Sequence, residues 1–166
     1  TSGYFSIGQE CTKLLRYYSL TATTQAGSGH PSSCLSAAEL IVGLLVGGHF
    51  HYDIANPKNE NNDRLIFSKG HAAPLFYAFW TVAKGIEAKE LLTLRQFGSR
   101  LEGHPTKLLP YTEVPTGSLG QGLSVGFGMA LNAKYIENSA YRTFVLMGDS
   151  EIAEGSVWEA MAEASF

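Results

Sequence analysis

The segment "FVLMGDSEIAEG", residues 144–155, runs from an apolar stretch straight into a carboxylate. Residues 144–147 suit a buried strand, and Asp149 stands where that strand would stop. A hard carboxylate at a strand end can hold Mg²⁺ against a phosphorylated ligand, with water and phosphate oxygens completing the octahedron. A helix starting there would offer free N–H groups and its positive dipole end to the same anion. Asp149 or Ser150 could instead simply cap that helix, because Asp and Ser are favoured caps. Spacing alone leaves both roles open.

Three histidines each follow a glycine: His30 in "SGHP", His71 in "KGHAAP" and His104 in "EGHP". All three fall at breaks between elements. Histidine hydrogen-bonds phosphate and moves protons near neutral pH. Each could merely fix its own loop, yet three of them make one convergent site a reasonable expectation. The pair His49 and His51 has no cysteine cluster or HExxH pattern beside it, so it reads as solvated rather than zinc-binding. The turn "TGSLGQG" lacks the dinucleotide fingerprint, and no segment matches a P-loop. Its glycines at 117, 120 and 122 point to a backbone lying close to a flat ligand or to a neighbouring helix.

These groups need elements to carry them. Cys11, Leu14, Leu15, Tyr18 and Ala22 share one helical face, which predicts a helix over 7–24. A second helix is expected over 34–46, capped by Ser32 or Ser33, with Leu35, Ala38, Val42 and Leu45 on its face. Residues 52–63 are polar and turn-rich, hence a surface loop. "RLIFS" is a short buried strand. An aromatic helix over 73–84 follows, burying Phe76, Phe79, Trp80 and Ala83 and ended by Gly85. Further helices are expected over 88–97 and 119–136. "YRTFVLM" is the second strand, and "EGSVWEAMAEAS" opens the last helix. Strands alternating with helices predict an α/β fold with a parallel sheet and helices on both faces. In such folds ligands bind at the carboxyl ends of the strands.

The 166 residues fit one domain, and 45 % hydrophobic with 16 % charged residues fits a globular core. A net charge of −3 gives no electrostatic reason to expect nucleic acid or a membrane surface as a partner. Two cysteines, Cys11 and Cys34, make no disulfide framework, and a reducing compartment follows. Residues 35–46 are too short to span a bilayer and carry Glu39. With no visible signal peptide, a cytoplasmic location is expected.

The motifs "TTQAGSGHPSSCLSAAEL", "NDRLIFSKGHAAPLFYAFW", "EGHP", "PTGSLGQGLSVGFGMA" and "GDSEIAEGSVWEA" closely resemble the amino-terminal half of the diphosphate-binding domain of transketolase. The resemblance runs almost end to end and in the family order. It makes residues 1–166 the first portion of a thiamin-diphosphate-binding domain, without the pyrimidine-binding and carboxyl-terminal domains. The activity it implies is transfer of a two-carbon ketol unit between sugar phosphates in the non-oxidative pentose phosphate pathway, by a homodimer.

By that resemblance Asp149 would bind Mg²⁺ (or Ca²⁺). His71 and the main chain at Ser150 would contact the cofactor's diphosphate. Ser33 and the Gly117–Ser118–Leu119 turn would line the thiamin. His30 and His104 would face the ketose and assist proton transfer. Glu154 would join a carboxylate network at the subunit interface. Two departures stand out. Ser150 replaces the family's usual glycine, and the asparagine that completes the family's metal site would lie beyond residue 166. An isolated chain is therefore expected to be inactive. Other expectations compatible with the residues are a subunit of a split enzyme, a non-catalytic module built on this domain, or another thiamin-dependent ketol synthase.

Overall fold

The computed structural model describes residues 2–165. Helix α1 (Ser2–Ala26) outruns the sequence expectation at both ends. Its buried face is Leu15, Ser19 and Ala22, whereas Leu14 is 43 % exposed. The turn stays helical there because Thr12, Ser19 and Thr23 bond back onto carbonyls one turn earlier, keeping polar groups satisfied on the inner face.

Helix α2 (Pro31–Val46) starts three residues before the expected point. Neither Ser32 nor Ser33 caps it. His30 is the N-cap residue and its side chain makes no capping bond. Pro31 fixes the first helical φ, so no hydroxyl cap is needed to begin the turn. Cys34, Ala37, Ala38, Ile41 and Val42 are buried, and burial pushes the Cys34 thiol up to about 11. That thiol is therefore a packing group and not a nucleophile.

Strands β1 (Arg64–Phe67) and β2 (Thr143–Leu146) pair in parallel, in register from Arg64 opposite Thr143 to Phe67 opposite Leu146. Alternation along the strands separates two faces. Leu65, Phe67, Phe144 and Leu146 turn toward the main core with α1, α2 and α3 (Ala73–Val82). Ile66 and Val145 turn the other way, onto α4 (Gln121–Asn132). Helices thus cover both faces, as the sequence pattern predicts. Helix α5 (Gly155–Ala164) packs beside α4.

Helix α3 is buried along its whole length, and its aromatic residues set the core. Trp80 stacks on Tyr111 at 4.4 Å and meets Phe79 edge-on at 4.5 Å. The helix ends at Val82, and the left-handed residue that follows is Lys84, φ +67°, not Gly85. Gly85 answers a different need: a Cβ there would lie 2.7 Å from the Tyr111 ring. The expected helix over 88–97 is a 3-10 segment, Ala88–Thr93. The glycine-rich helix begins at Gln121, because Gly120 holds φ +83°, and it closes in a π-turn, Ala133–Glu137.

The lower, amino-terminal end of the sheet is tied by Asp63. Its carboxylate accepts the amides of His51 at 2.9 Å and Arg142 at 2.7 Å, and the Arg142 guanidinium at 3.0 Å. Burial alone would raise this carboxyl, but those donors hold it below the ordinary carboxylate value.

Helix α4 meets the sheet through Gly126, where a Cβ would stand 2.5 Å from Val145 Cγ2 and 3.5 Å from Ile66 Cδ1. Gly126→Ala gains about 1 kcal/mol in helix propensity but overpacks the contact by roughly 1–3 kcal/mol. A lower urea midpoint is expected. Gly128→Ala, in open space on the same helix, is expected to raise it by up to about 1 kcal/mol. Equal responses at the two positions would refute the close α4–sheet contact.

Candidate active site at the strand ends

The carboxyl ends of both strands open into turns. After β1 the chain runs Ser68, Lys69, Gly70 and His71. After β2 it runs Gly148, Asp149 and Ser150. One buried carboxylate, Glu151, joins them. The Ser68 hydroxyl donates to Glu151 Oε1, the Gly120 amide donates to the same oxygen at 3.0 Å, and the Gly148 amide donates to Oε2 at 2.9 Å. Glu151 is 1 % exposed. It therefore holds β1, the start of α4 and the turn after β2 in one arrangement.

The turn carrying Asp149 is a short 3-10 segment, Ser150–Ala153, and α5 starts only at Gly155. No α-helix start lies beside Asp149. Asp149 occupies the N-cap position of the short turn, but its side chain makes no capping bond. Of the two roles open from spacing, hydrogen-bonded capping is not realised. Among the described residues, the exposed Asp149 carboxylate has no hydrogen-bond partner. Ser150 is also exposed.

The three histidines come from three elements. His30 begins α2, His71 lies in the 3-10 turn Gly70–Ala72, and His104 sits in the loop before α4. The rings of His30 and His71 meet edge-on at 5.2 Å. Tyr77 of α3 anchors the third loop, its hydroxyl donating to the carbonyls of Glu102 at 2.8 Å and His104 at 3.2 Å.

Gly117 packs between two of these groups. A Cβ on it would lie 2.7 Å from His104 Cδ2, and its φ of +137° excludes most other residues. Gly70 touches the Gly117 backbone directly, since a Cβ on Gly70 would lie 2.7 Å from the Gly117 nitrogen. Thr116 fastens this turn to β1 through a 2.7 Å bond to the Phe67 carbonyl.

Lys69 is nearly buried, and its ammonium donates to Ser36 Oγ at 3.2 Å. Ser36 in turn donates to the Ser33 carbonyl at 3.1 Å, which links Ser33 to the strand end. Ser118 and Leu119 are exposed on the far side of the Gly117 turn. Glu154 lies apart from the histidines, on the α4–α5 side against Gly120.

Electrostatics follow from this gathering. His71 is held below its ordinary value of 6.5, first by burial and then by His30, Lys69 and His104, with Glu151 opposing. Burial, Arg95 and His30 lower His104 likewise. Both imidazoles are thus predominantly neutral at pH 7, each with one N–H to donate and one lone pair to accept a proton.

A diphosphate fits this end of the sheet by the chemistry of its groups. Lys69 supplies a cation, and a Cβ on Gly148 would come within 3.9 Å of Lys69 Cγ, His71 Cε1 and Glu151 Cβ, so the glycine leaves the turn uncrowded. For a metal, Asp149 stands alone. No group of three His, Cys, Asp or Glu placed to hold an ion occurs among the described residues. One carboxylate suits Mg²⁺, which takes most of its shell from phosphate and water. Lys69 and Glu151 were missed in the sequence. Their signal was present, a charged residue inside each short turn after an apolar strand.

Fold and strand ends together define an α/β domain with a candidate site at the carboxyl edge of a parallel sheet. The chain belongs to the family described as "Transketolase, thiamine diphosphate binding domain", which matches residues 7–166. It is 53 % identical over 151 residues to the transketolase of Pongo abelii, covering 91 % of this chain and 24 % of that protein. The chain therefore spans about a quarter of the length of the curated relatives it matches first.

Among solved structures, the transketolase of Campylobacter jejuni superposes with TM-score 0.88 at 34 % identity, covering 95 % of this chain and 26 % of that one. The Pichia stipitis transketolase in complex with sedoheptulose-7-phosphate superposes with TM-score 0.85 at 32 % identity, covering 95 % and 25 %.

Replacing Glu151 by Gln keeps its shape but sets an amide NH₂ against one of its amide donors. A buried donor left without an acceptor costs about 1–3 kcal/mol. A lower denaturation midpoint is expected, with faster amide exchange at Gly120 or Gly148; parental exchange at both would refute the clasp. For the histidines, the folded values lie below the unfolded one. Their contribution to stability is full above about pH 6.5 and is lost as pH falls below it through the lower folded midpoints. NMR titration should place both midpoints below 6.5, and a midpoint at or above it would contradict the described surroundings.

Proposed function

We propose that this chain is the amino-terminal part of the cofactor domain of a thiamin-diphosphate-dependent transketolase. The complete enzyme moves a two-carbon ketol unit between sugar phosphates, in the cytoplasm and within the non-oxidative pentose phosphate pathway. One observation carries this: the ends of β1 and β2 bring Lys69, His71 and the Gly148–Asp149 turn together beside His30 and His104. Chain motifs and family membership support the same reading.

Each residue has a definable task. Asp149 would hold Mg²⁺ or Ca²⁺, whose positive charge would offset that of the diphosphate. Lys69, His71 and the Ser150 main chain hold the anion's oxygens. Ser33 and the Gly117–Ser118–Leu119 turn bound the ring system. Thiamin diphosphate, when bound, supplies the carbanion-stabilising chemistry. His30 and His104 hydrogen-bond the hydroxyls of the ketose, and His104, being mostly neutral, can accept or return a hydroxyl proton. Ser150, in place of the family's usual glycine, leaves the main-chain role intact and adds a hydroxyl.

The turns before α4 and α5 expose Leu119 and Ile152, and α5 exposes Trp158 and Met161, with Trp158 59 % exposed. Apolar area of this kind beside Glu154 supports a homodimer in the complete enzyme, with Glu154 at the interface. Expressed alone, these residues, about a quarter of the length of the relatives they match, are expected to lack ketol transfer.

In the complete enzyme, Asp149→Ala is expected to weaken Mg²⁺-dependent thiamin diphosphate binding by more than about 100-fold, the upper range for loss of a mere supporting residue. Titration calorimetry measures it, and unchanged affinity would remove the metal role. His104→Ala is expected to lower turnover of a ketose donor by roughly 10²–10⁴-fold with cofactor affinity largely retained. Loss of cofactor binding with normal turnover at saturating cofactor would overturn its substrate-side role.

A further inference from the structure

Arg95 lies outside every role assigned above, and three features of it call for an account. Its backbone sits at φ +60°, a left-handed conformation uncommon for a residue with a side chain. Such strain persists only where surrounding contacts impose it. Here its amide donates to the Leu101 carbonyl at 2.9 Å, closing the loop over residues 95–101. Its guanidinium donates to Ser28 Oγ at 3.0 Å. The same guanidinium lies over Gly103, where a Cβ would be 2.9 Å from Cζ, Nε and Nη2.

Ser28 precedes His30 by two residues, and Gly103 immediately precedes His104. One side chain therefore touches both loops that carry the substrate-side histidines. Both loops are held elsewhere on their other flanks: Ser28 donates its amide to Thr23 O at 3.3 Å, and Tyr77 holds the His104 carbonyl. What joins the loops to each other is Arg95. A flexible side chain on a strained backbone is a poor general stabiliser, since the left-handed conformation itself costs free energy. The guanidinium fork suits a tether, because its donors are fixed in one plane.

We propose that Arg95 is a positioning residue, which fixes the separation of His30 and His104 and so the grip on the ketose. The proposal rests on the ketol-transfer reading for its substrate, and on the geometry alone for the tether. Arg95 also adds positive charge beside His104, which the His30 and His71 imidazoles face as well, and Glu102 adjoins it in the chain.

The test uses the complete enzyme and four forms: parent, Arg95→Gly, Arg95→Lys and Gly103→Ala. Glycine removes the tether and also relieves the left-handed strain. Arg95→Gly is expected to keep or raise the melting temperature and to keep thiamin diphosphate affinity within about twofold, while kcat/KM for a ketose donor falls roughly 10–100-fold. Gly103→Ala, which displaces the guanidinium with Arg95 present, should cause a loss of the same order. Arg95→Lys keeps the charge without the fork, and is expected to hold the His104 titration near the parental value while turnover stays low.

Parental kcat/KM in Arg95→Gly, or a parallel fall in cofactor affinity, would overturn the proposal. If the parent enzyme shows no ketol transfer, it is the underlying functional reading that fails. The tether is then decided by NMR: Arg95→Gly should raise the His104 midpoint and shift the resonances of the His30 loop. An unmoved His30 loop would overturn the tether.

Discussion

The Ser68 hydroxyl and the amides of Gly120 and Gly148 all converge on the carboxylate of Glu151. These donors come from the end of β1, the start of α4 and the end of β2. A two-stranded parallel sheet with four residues per strand cannot position three separate turns through its own ladder. It has few ladder bonds, and its ends leave backbone groups unpaired. Each unpaired buried donor would cost free energy comparable to a lost hydrogen bond. A buried carboxylate with acceptor sites on both oxygens resolves this at one point. The geometry around Asp149, His71 and the Gly120 turn depends on that solution.

Asp63 repeats it at the opposite end of the sheet, with the amides of His51 and Arg142 and the Arg142 guanidinium as donors. The sheet is therefore clamped at both ends by acidic residues, and its faces are closed by helices. The consequence differs between the ends. At the lower end an arginine accompanies the acid and the cluster is balanced. At the upper end, Lys69 bonds to Ser36 and not to Glu151, so its charge remains available at the strand terminus. The fold spends its satisfied polar groups on one side of the upper turns and leaves Asp149 unpartnered on the other.

The histidines owe their shared position to packing and not to any local motif. His30 depends on how α2 lies against α1 and α3, His71 on β1, and His104 on Tyr77. Close backbone approaches bring the last two together, because Gly70 and Gly117 meet with no side chain between them. Once gathered, His71 and His104 lose proton affinity first through burial, and neighbouring positive charge adds to the effect. Neutral imidazoles near pH 7 are thus a property of the assembled site.

The amino-acid order by itself determined the two strands, the main helices, the parallel α/β class and the segments that terminate at the sheet's carboxyl edge. These follow from side-chain period and from glycine and proline breaks, which act locally. Family motifs in "SKGHAAP" and "GDSEIAEG" were equally legible. Local signals misled wherever two of them competed. Serines near the start of α2 resembled a cap, but Pro31 had already fixed the turn. Gly85 resembled a helix stop, but its small size serves Tyr111 while Lys84 takes the left-handed turn. Only tertiary structure decided that Asp149 does not cap through its side chain, that Glu151 is the buried clasp, that Lys69 reaches helix α2, and that Arg95 reaches two other loops. A charge three-dimensionally enclosed by partners distant in the chain has no periodicity and no fixed spacing, so its role exists only once the segments have packed.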